Sequence, residues 1–177
     1  VLERTSGPDR LVVTSVVSTP MLEAVAAHHH VAHATTLTGF KWICNAALDL
    51  EARGRRFVFG FEEALGYTVG PVVRDKDGMA AAVWFADLAA ACAAAGESVL
   101  DRLARLWVRD GLWVSHPVSI RRPGESGLAE IAAAMRKRPP AKLKRTAAVL
   151  SDIESSFRHR GANVRCRSTR PSVGCWL

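Results

Sequence analysis

Between Arg56 and Gly78 the sequence reads RFVFGFEEALGYTVGPVVRDKDG, and this stretch limits the possible folds more than any other. The apolar residues Phe57, Val58 and Phe59 form a strand-like run leading into a Gly-punctuated turn that carries two adjacent carboxylates, Glu62 and Glu63. Gly60, Gly66 and Gly70 let backbone bend sharply and approach a ligand closely, where a Cβ often cannot fit. That is the profile of a binding loop at a strand end. The second half, Arg74 to Gly78, alternates charges through a turn and then opens into Met79-Ala80-Ala81-Ala82, a strong helix former with Asp77 as its N-cap.

Upstream, Leu11–Ser18 (LVVTSVVS) is rich in β-branched residues and reads as a buried strand. A helix follows, with Pro20 in its first turn, Thr19 as cap, and Met21, Leu22 and Val25 at helical spacing. His28, His29 and His30, with His33 beyond, offer metal-donor nitrogens, but consecutive helical residues point apart. The cluster therefore reads better as a polar helix C-terminus than as a metal site. Val31–Thr36 is expected to be a second strand, and Phe40–Ala52 a helix whose N-terminus, at Thr38-Gly39, favours anions. Lys41 adds a cation there or is a solvated surface lysine.

A strand over Arg56–Phe61 leads to the central loop. Asp75 and Asp77 read as a metal pair or, better, as a turn and cap. Two helices are then expected, Gly78–Ala95, whose alanines suggest close packing on a sheet, and Val99–Asp110, with Leu100, Leu103, Leu106 and Trp107 on one face. A strand over Trp113–Ile120, a turn over Pro123–Gly127 and a short helix over Leu128–Met135 complete the regular part. Strands alternating with helices imply an α/β fold, a three-layer domain with a small mixed sheet flanked by helices, plus an incomplete C-terminal α+β piece.

With 177 residues, the chain has room for one domain and an attached piece. Apolar runs break well before the roughly 18 residues a membrane-crossing helix needs, so no membrane is expected. The chain starts at Val1 without a basic-then-apolar leader, which suits a cytoplasmic protein whose start lies upstream. The net charge of +7 is misleading as a nucleic-acid signal. Residues 1–135 hold 13 Lys and Arg against 15 Asp and Glu, whereas residues 136–177 hold 11 against 2. The basic tail lacks interleaved aromatics and reads as a solvated linker or end. Cys44, Cys92, Cys166 and Cys175 are widely spaced and make no zinc-type pair, so reduced thiols are expected.

Three motifs in this order, TLTGFKWI (Thr36–Ile43), FGFEEALGY (Phe59–Tyr67) and DKDG (Asp75–Gly78), make the chain resemble an α-D-phosphohexomutase of the phosphoglucomutase/phosphomannomutase branch. The similarity runs from about Leu11 to Asp152. It implies a four-domain enzyme in which a phosphoserine in domain 1 gives its phosphoryl group to a hexose monophosphate, and the resulting bisphosphate, glucose 1,6-bisphosphate for glucose, turns over in the site and returns its other phosphate to the serine. Domain 2 would supply Mg²⁺ and domain 4 the second phosphate site. Residues 8–112 would be domain 3, which grips the sugar, residues 113–155 a linker and incomplete start of domain 4, and residues 156–177 a basic, aberrant tail.

By the same resemblance Glu62 contacts the sugar O3 and O4, Glu63 supports it, and Lys41 and Lys76 face the anionic substrate. Thr38, Gly39 and Gly66 complete the substrate-binding candidates. Some members carry Ser where this chain has Ala64, so one sugar contact of the family is lacking. The family's phosphoserine, metal and phosphate loops are not found in the sequence; no catalytic residue and no metal ligand is assigned, and domains 1, 2 and 4 are the expected partners. Past about Ser155 the family pattern gives way, as a frameshift would produce; the other two reading frames of the DNA test that. A non-catalytic sugar-phosphate-binding or interaction module is the alternative, and it predicts affinity without turnover even alongside the missing domains.

Overall fold

The computed structural model describes residues 1–114, 121, 123 and 127–138, and the backbone of four short strands between 142 and 176. The chain divides into two units after Val114. In the first, a short 3-10 turn at Leu2–Arg4 precedes β1 (Arg10–Ser15), α1 (Met21–His28), β2 (Ala32–Thr36), α2 (Phe40–Glu51), β3 (Arg56–Glu62), β4 (Gly66–Val69), α3 (Gly78–Ala94) and α4 (Val99–Asp110). The strands form one mixed sheet in the order β2-β1-β3-β4, with β1 parallel to both neighbours and β4 antiparallel to β3.

β1 is central, and Leu11 to Ser15 are all buried. This is the continuous burial expected of a parallel strand covered on both faces. α1 and α2 lie on opposite faces. Leu11, Val13, Ala34 and Phe57 pack with Phe40, Ile43, Cys44 and Ala47 of α2. Val12, Val31 and Val58 pack with Ala26 of α1, and Val1, Leu2, Leu22 and Phe59 surround them. The expected three-layer α/β domain with a small mixed sheet is therefore present.

Local signals place several boundaries. Asp77 caps α3 by accepting the Ala80 N–H at 2.9 Å. Ser98 and Asp101 form a reciprocal capping box at the start of α4. α1 closes with His30 in the left-handed region at φ 53°. The His30 N–H donates to Ala27 O and the Val31 N–H to Ala26 O, the paired bonds that end a helix in a Schellman motif.

Three expectations fail. β1 stops at Ser15 rather than Ser18, because the chain turns there and the Ser18 N–H donates back to Ser15 O. α3 is not closely packed along its length: it lies over β4 and buries only Cys92, leaving Met79, Val83 and Phe85 exposed. Trp113 and Val114 are not in a strand; the rest of that expected element lies outside the described residues.

In the second unit α5 covers Gly127–Lys137, close to the expected helix. Short strands follow at Lys142–Leu143 (β5), Thr146–Ala147 (β6), Val149–Ser151 (β7) and Gly174–Trp176 (β8). β5 pairs antiparallel with β6, and β7 parallel with β8. Among the described residues no single helix is long and apolar enough to cross a membrane.

Candidate functional site

Because β1, β2 and β3 are parallel, they end on one edge of the sheet, where open α/β sheets bind their ligands. The loops that follow are tied together. The Val16 N–H donates to Thr36 O at 2.8 Å, and the Ser15 and Ser18 hydroxyls are 2.7 Å apart. The Ser18 hydroxyl also accepts the Glu63 N–H at 3.2 Å, and Glu63 Oε1 accepts the Thr19 N–H at 2.9 Å. Glu63, itself exposed, thus anchors the β3–β4 turn to the β1–α1 loop.

Glu62 is the last residue of β3 and is only 3% exposed. Strict alternation from Phe57 would put it on the face away from α2. A β-bulge prevents this: Leu11 pairs with Phe57 but Val12 with Phe59, which leaves Val58 as an extra residue. From that point Gly60 and Glu62 turn toward α2, an instance of a bulge re-aiming a side chain. A Cβ on Gly60 would lie 2.9 Å from Ile43 Cγ2, and one on Gly66, directly across the hairpin, 2.6 Å from Glu62 Cγ and 2.7 Å from Phe40 Cδ2. Both glycines are therefore fixed by close approach.

A buried carboxylate needs partners, since its desolvation costs several kcal/mol. Glu62 Oε1 has one in Lys76 Nζ at 2.8 Å, and the same ammonium donates to Ala64 O at 3.1 Å. Glu62 Oε2 is buried with no hydrogen-bond partner among the described residues. The turn between them is strained, with Leu65 at φ 55°, a conformation that bulky side chains rarely adopt.

The structure thus brings Glu62, Gly66 and Lys76 together beside Phe40. Gly39, at φ 115°, is the N-cap of α2, and Thr38 before it is exposed. Lys41 is exposed on the first helical turn, with its Nζ 5.4 Å from the Trp42 ring. No hydrogen bond or ion pair described here joins it to Glu62.

The Mg²⁺ implied by the family resemblance finds no ligand set in this unit. Asp77 is committed to its cap, Asp75 Oδ1 accepts the Lys76 N–H at 2.7 Å, and no group of three His, Cys, Asp or Glu residues among the described residues is placed to hold a metal. His33 is turned inward instead. It lies 2.9 Å from the Thr14 hydroxyl, and burial lowers its pKa to about 4.

Sequence reasoning missed Ser18, Phe40 and the bulge. Gly60 inside a strand is the one local signal that points to the bulge.

A sequence profile for the α/β/α domain III of phosphoglucomutase/phosphomannomutase matches residues 1–109, well over half of the chain. The chain belongs to that family. It is 46% identical over 80 residues to the probable phosphoribomutase of Schizosaccharomyces pombe, covering 45% of this chain and 14% of that protein. It is 38% identical over 113 residues to the phosphopentomutase of Homo sapiens, covering 64% and 18%. With the probable phosphomannomutase of Haemophilus influenzae it shares 36% identity over 138 residues, covering 77% and 27%. The chain thus spans about a quarter or less of the length of the curated relatives it matches. No solved structure matches. The relatives are named as phosphomutases, so the family role is a sugar-phosphate mutase role, and residues 1–109 match the family's third domain.

Proposed function

We propose that the chain supplies sugar recognition to a phosphomutase that interconverts hexose 1-phosphate and hexose 6-phosphate through a phosphoserine and glucose 1,6-bisphosphate. The observation that carries this reading is Oε2 of buried Glu62, without a partner among the described residues, at the edge of the sheet where the parallel strands end. An ionised carboxylate only accepts hydrogen bonds, and ring hydroxyls are donors of the right kind. A mutase holds its sugar in two opposite orientations, so contacts to hydroxyls near the middle of the ring serve both. Lys76, partly exposed beside Glu62, adds attraction for the phosphate. Thr38, Gly39 and Lys41 complete the binding edge on this reading, and Glu63 holds the turn rather than the sugar.

A second reading follows from the relatives named phosphopentomutase and phosphoribomutase: the sugar is a pentose phosphate. On either reading the phosphoserine, the Mg²⁺ loop and the second phosphate site belong to domains 1, 2 and 4. The chain alone is then inactive as a mutase, because phosphoryl transfer depends on several charged groups acting at once.

An NMR titration of the full chain with glucose 1,6-bisphosphate and, separately, with ribose 5-phosphate tests this. Saturable shifts in segments 38–41 and 60–78 are expected, with Glu62→Gln weakening binding about 10- to 100-fold, the range for a hydrogen bond to a charged group. Unchanged affinity in Glu62→Gln would sink the proposal. The sugar that binds more tightly decides between hexose and pentose.

A further inference from the structure

α2 breaks a rule of helix electrostatics in its last turn. That turn carries Glu51 and no basic residue, although the partial negative charge of a helix C-terminus disfavours carboxylates. The compensating charge comes from a distant part of the sequence. Arg74 Nη2 lies 2.7 Å from Glu51 Oε2, and the guanidinium carbon is 5.9 Å from the centre of the buried Phe57 ring. Glu51 Oε1 in turn accepts the Phe57 N–H at 3.4 Å. Arg74 is therefore seated by charge, by ring contact and by a carboxylate that is itself held in place.

The segment from Gly70 to Asp77 that carries Arg74 is held at intervals along the hairpin. The Gly70 N–H donates to Val58 O, the Thr68 hydroxyl to Val73 O at 2.9 Å, and the Asp77 N–H to Tyr67 O. Two of its central residues pair with carboxylates near the two ends of α2. Arg74 meets Glu51 in the last turn. At mid-helix, burial first and then the Asp75 charge push the Cys44 thiol pKa up. Lys76 meets Glu62 beside Phe40, the first residue of α2. Phe40 and Glu51 are about 16 Å apart along the helix axis, so Arg74 is tied to one end of α2 and Lys76 to Glu62 beside the other.

We infer that Arg74, through Glu51, is a positioning residue that fixes this segment along α2 and so sets Lys76 on Glu62 Oε1, leaving Oε2 as the carboxylate oxygen without a partner among the described residues. Its effect on ligand affinity rests on the sugar-binding reading above, whereas its effect on Lys76 does not.

The test uses the full chain labelled with ¹⁵N-lysine. An ammonium held by a carboxylate and a carbonyl exchanges its protons slowly enough to give a ¹H–¹⁵N cross-peak, assigned by its loss in Lys76→Met. The peak is expected in the wild type and lost in Arg74→Gln and in Glu51→Gln. Arg74→Lys, a milder change, keeps the charge without the fork and is expected to weaken the peak. Absence of the peak in the wild type, or its survival unchanged in Arg74→Gln, overturns the inference.

Affinity for glucose 1,6-bisphosphate gives a second readout. Arg74→Gln is expected to weaken it about tenfold, the order of a coupling within one ion-pair network, but to have no further effect in a Lys76→Met background. An equal loss in both backgrounds would mean that Arg74 acts on the fold and not through Lys76. A wild-type chain that binds neither sugar phosphate overturns the functional reading alone, because the ammonium peak still decides the role of Arg74.

Discussion

α2 and α3 flank the same hairpin and follow opposite logics. α2 has 12 residues and buries Phe40, Ile43, Cys44 and Ala47 against the sheet. α3 has 17 residues and is far more apolar, yet it buries only Cys92. In α2 the apolar residues recur on one stripe, with Lys41, Asn45 and Asp49 facing outward. In α3 they run all the way round, so the side over β4, a four-residue edge strand, takes only part of them. Periodicity decides how much of a helix is buried, and apolar content alone does not.

The strongest way to break that comparison is to cut into the α2 side. Phe57 is 1% exposed and packs in the cluster under α2. Phe57→Ala is expected to cost about 3–5 kcal/mol, the range for an aromatic removed from a packed core. Urea unfolding of the full chain measures it. A loss below about 1 kcal/mol, the centre of the distribution for point mutants, would show the cluster to be loosely packed.

The opposite face of the sheet answers to pH. His33 lies there beside Thr14, and burial lowers its pKa from the ordinary 6.5 of an imidazole to about 4. In the unfolded chain it takes a proton near pH 6.5, whereas the folded protein resists until about pH 4. The unfolded state therefore binds more protons within that window, and stability falls as the pH drops through it, by up to about 3 kcal/mol. Above pH 6.5 this contribution is fully present. Urea midpoints measured from pH 7 to pH 4 follow it, and His33→Gln is expected to flatten the slope; an equal slope in the variant would assign the effect to carboxylates instead.

Much of the fold was legible because its signals are local. The β-branched run of β1, the apolar stripe of α2 and the Asp77 cap each act within a few residues, and the boundaries of α4 fall where the periodicity puts them. The remainder depends on contacts between distant residues. β1 ends at Ser15 because the chain turns there, and the same turn presents the Ser18 hydroxyl to Glu63, 45 positions away. Glu62 was recognisable as a carboxylate in a binding motif, but alternation counted from Phe57 assigns it to the wrong face; only the register of β3 against β1 shows the bulge that redirects it. Its pairing with Lys76 likewise depends on a segment seated on α2, which no spacing in the sequence encodes.

Gly66 sharpens the comparison at the point where α2 meets the hairpin. An added Cβ would meet Glu62 Cγ at 2.6 Å and Phe40 Cδ2 at 2.7 Å, and both side chains are buried. Gly66→Ala is expected to cost about 1–3 kcal/mol through overpacking and to displace Glu62 from Lys76. The urea midpoint reads the first effect and the Lys76 ammonium signal the second. Gly78, where an added Cβ meets nothing within 4 Å, is the control.

The smallest expected effect is the most direct counterpart of the largest. Phe85 on α3 is the same residue type as Phe57 but is 59% exposed. The ring that Phe85→Ala removes already largely faces solvent in the folded chain, so little transfer free energy and no cavity are at stake. Alanine's higher helix propensity opposes what small loss remains. The expected change is within about 0.5 kcal/mol, as for surface substitutions generally. If Phe85→Ala costs as much as Phe57→Ala in the isolated chain, then α3 is buried in solution, and the contrast between the two helices fails at its exposed end.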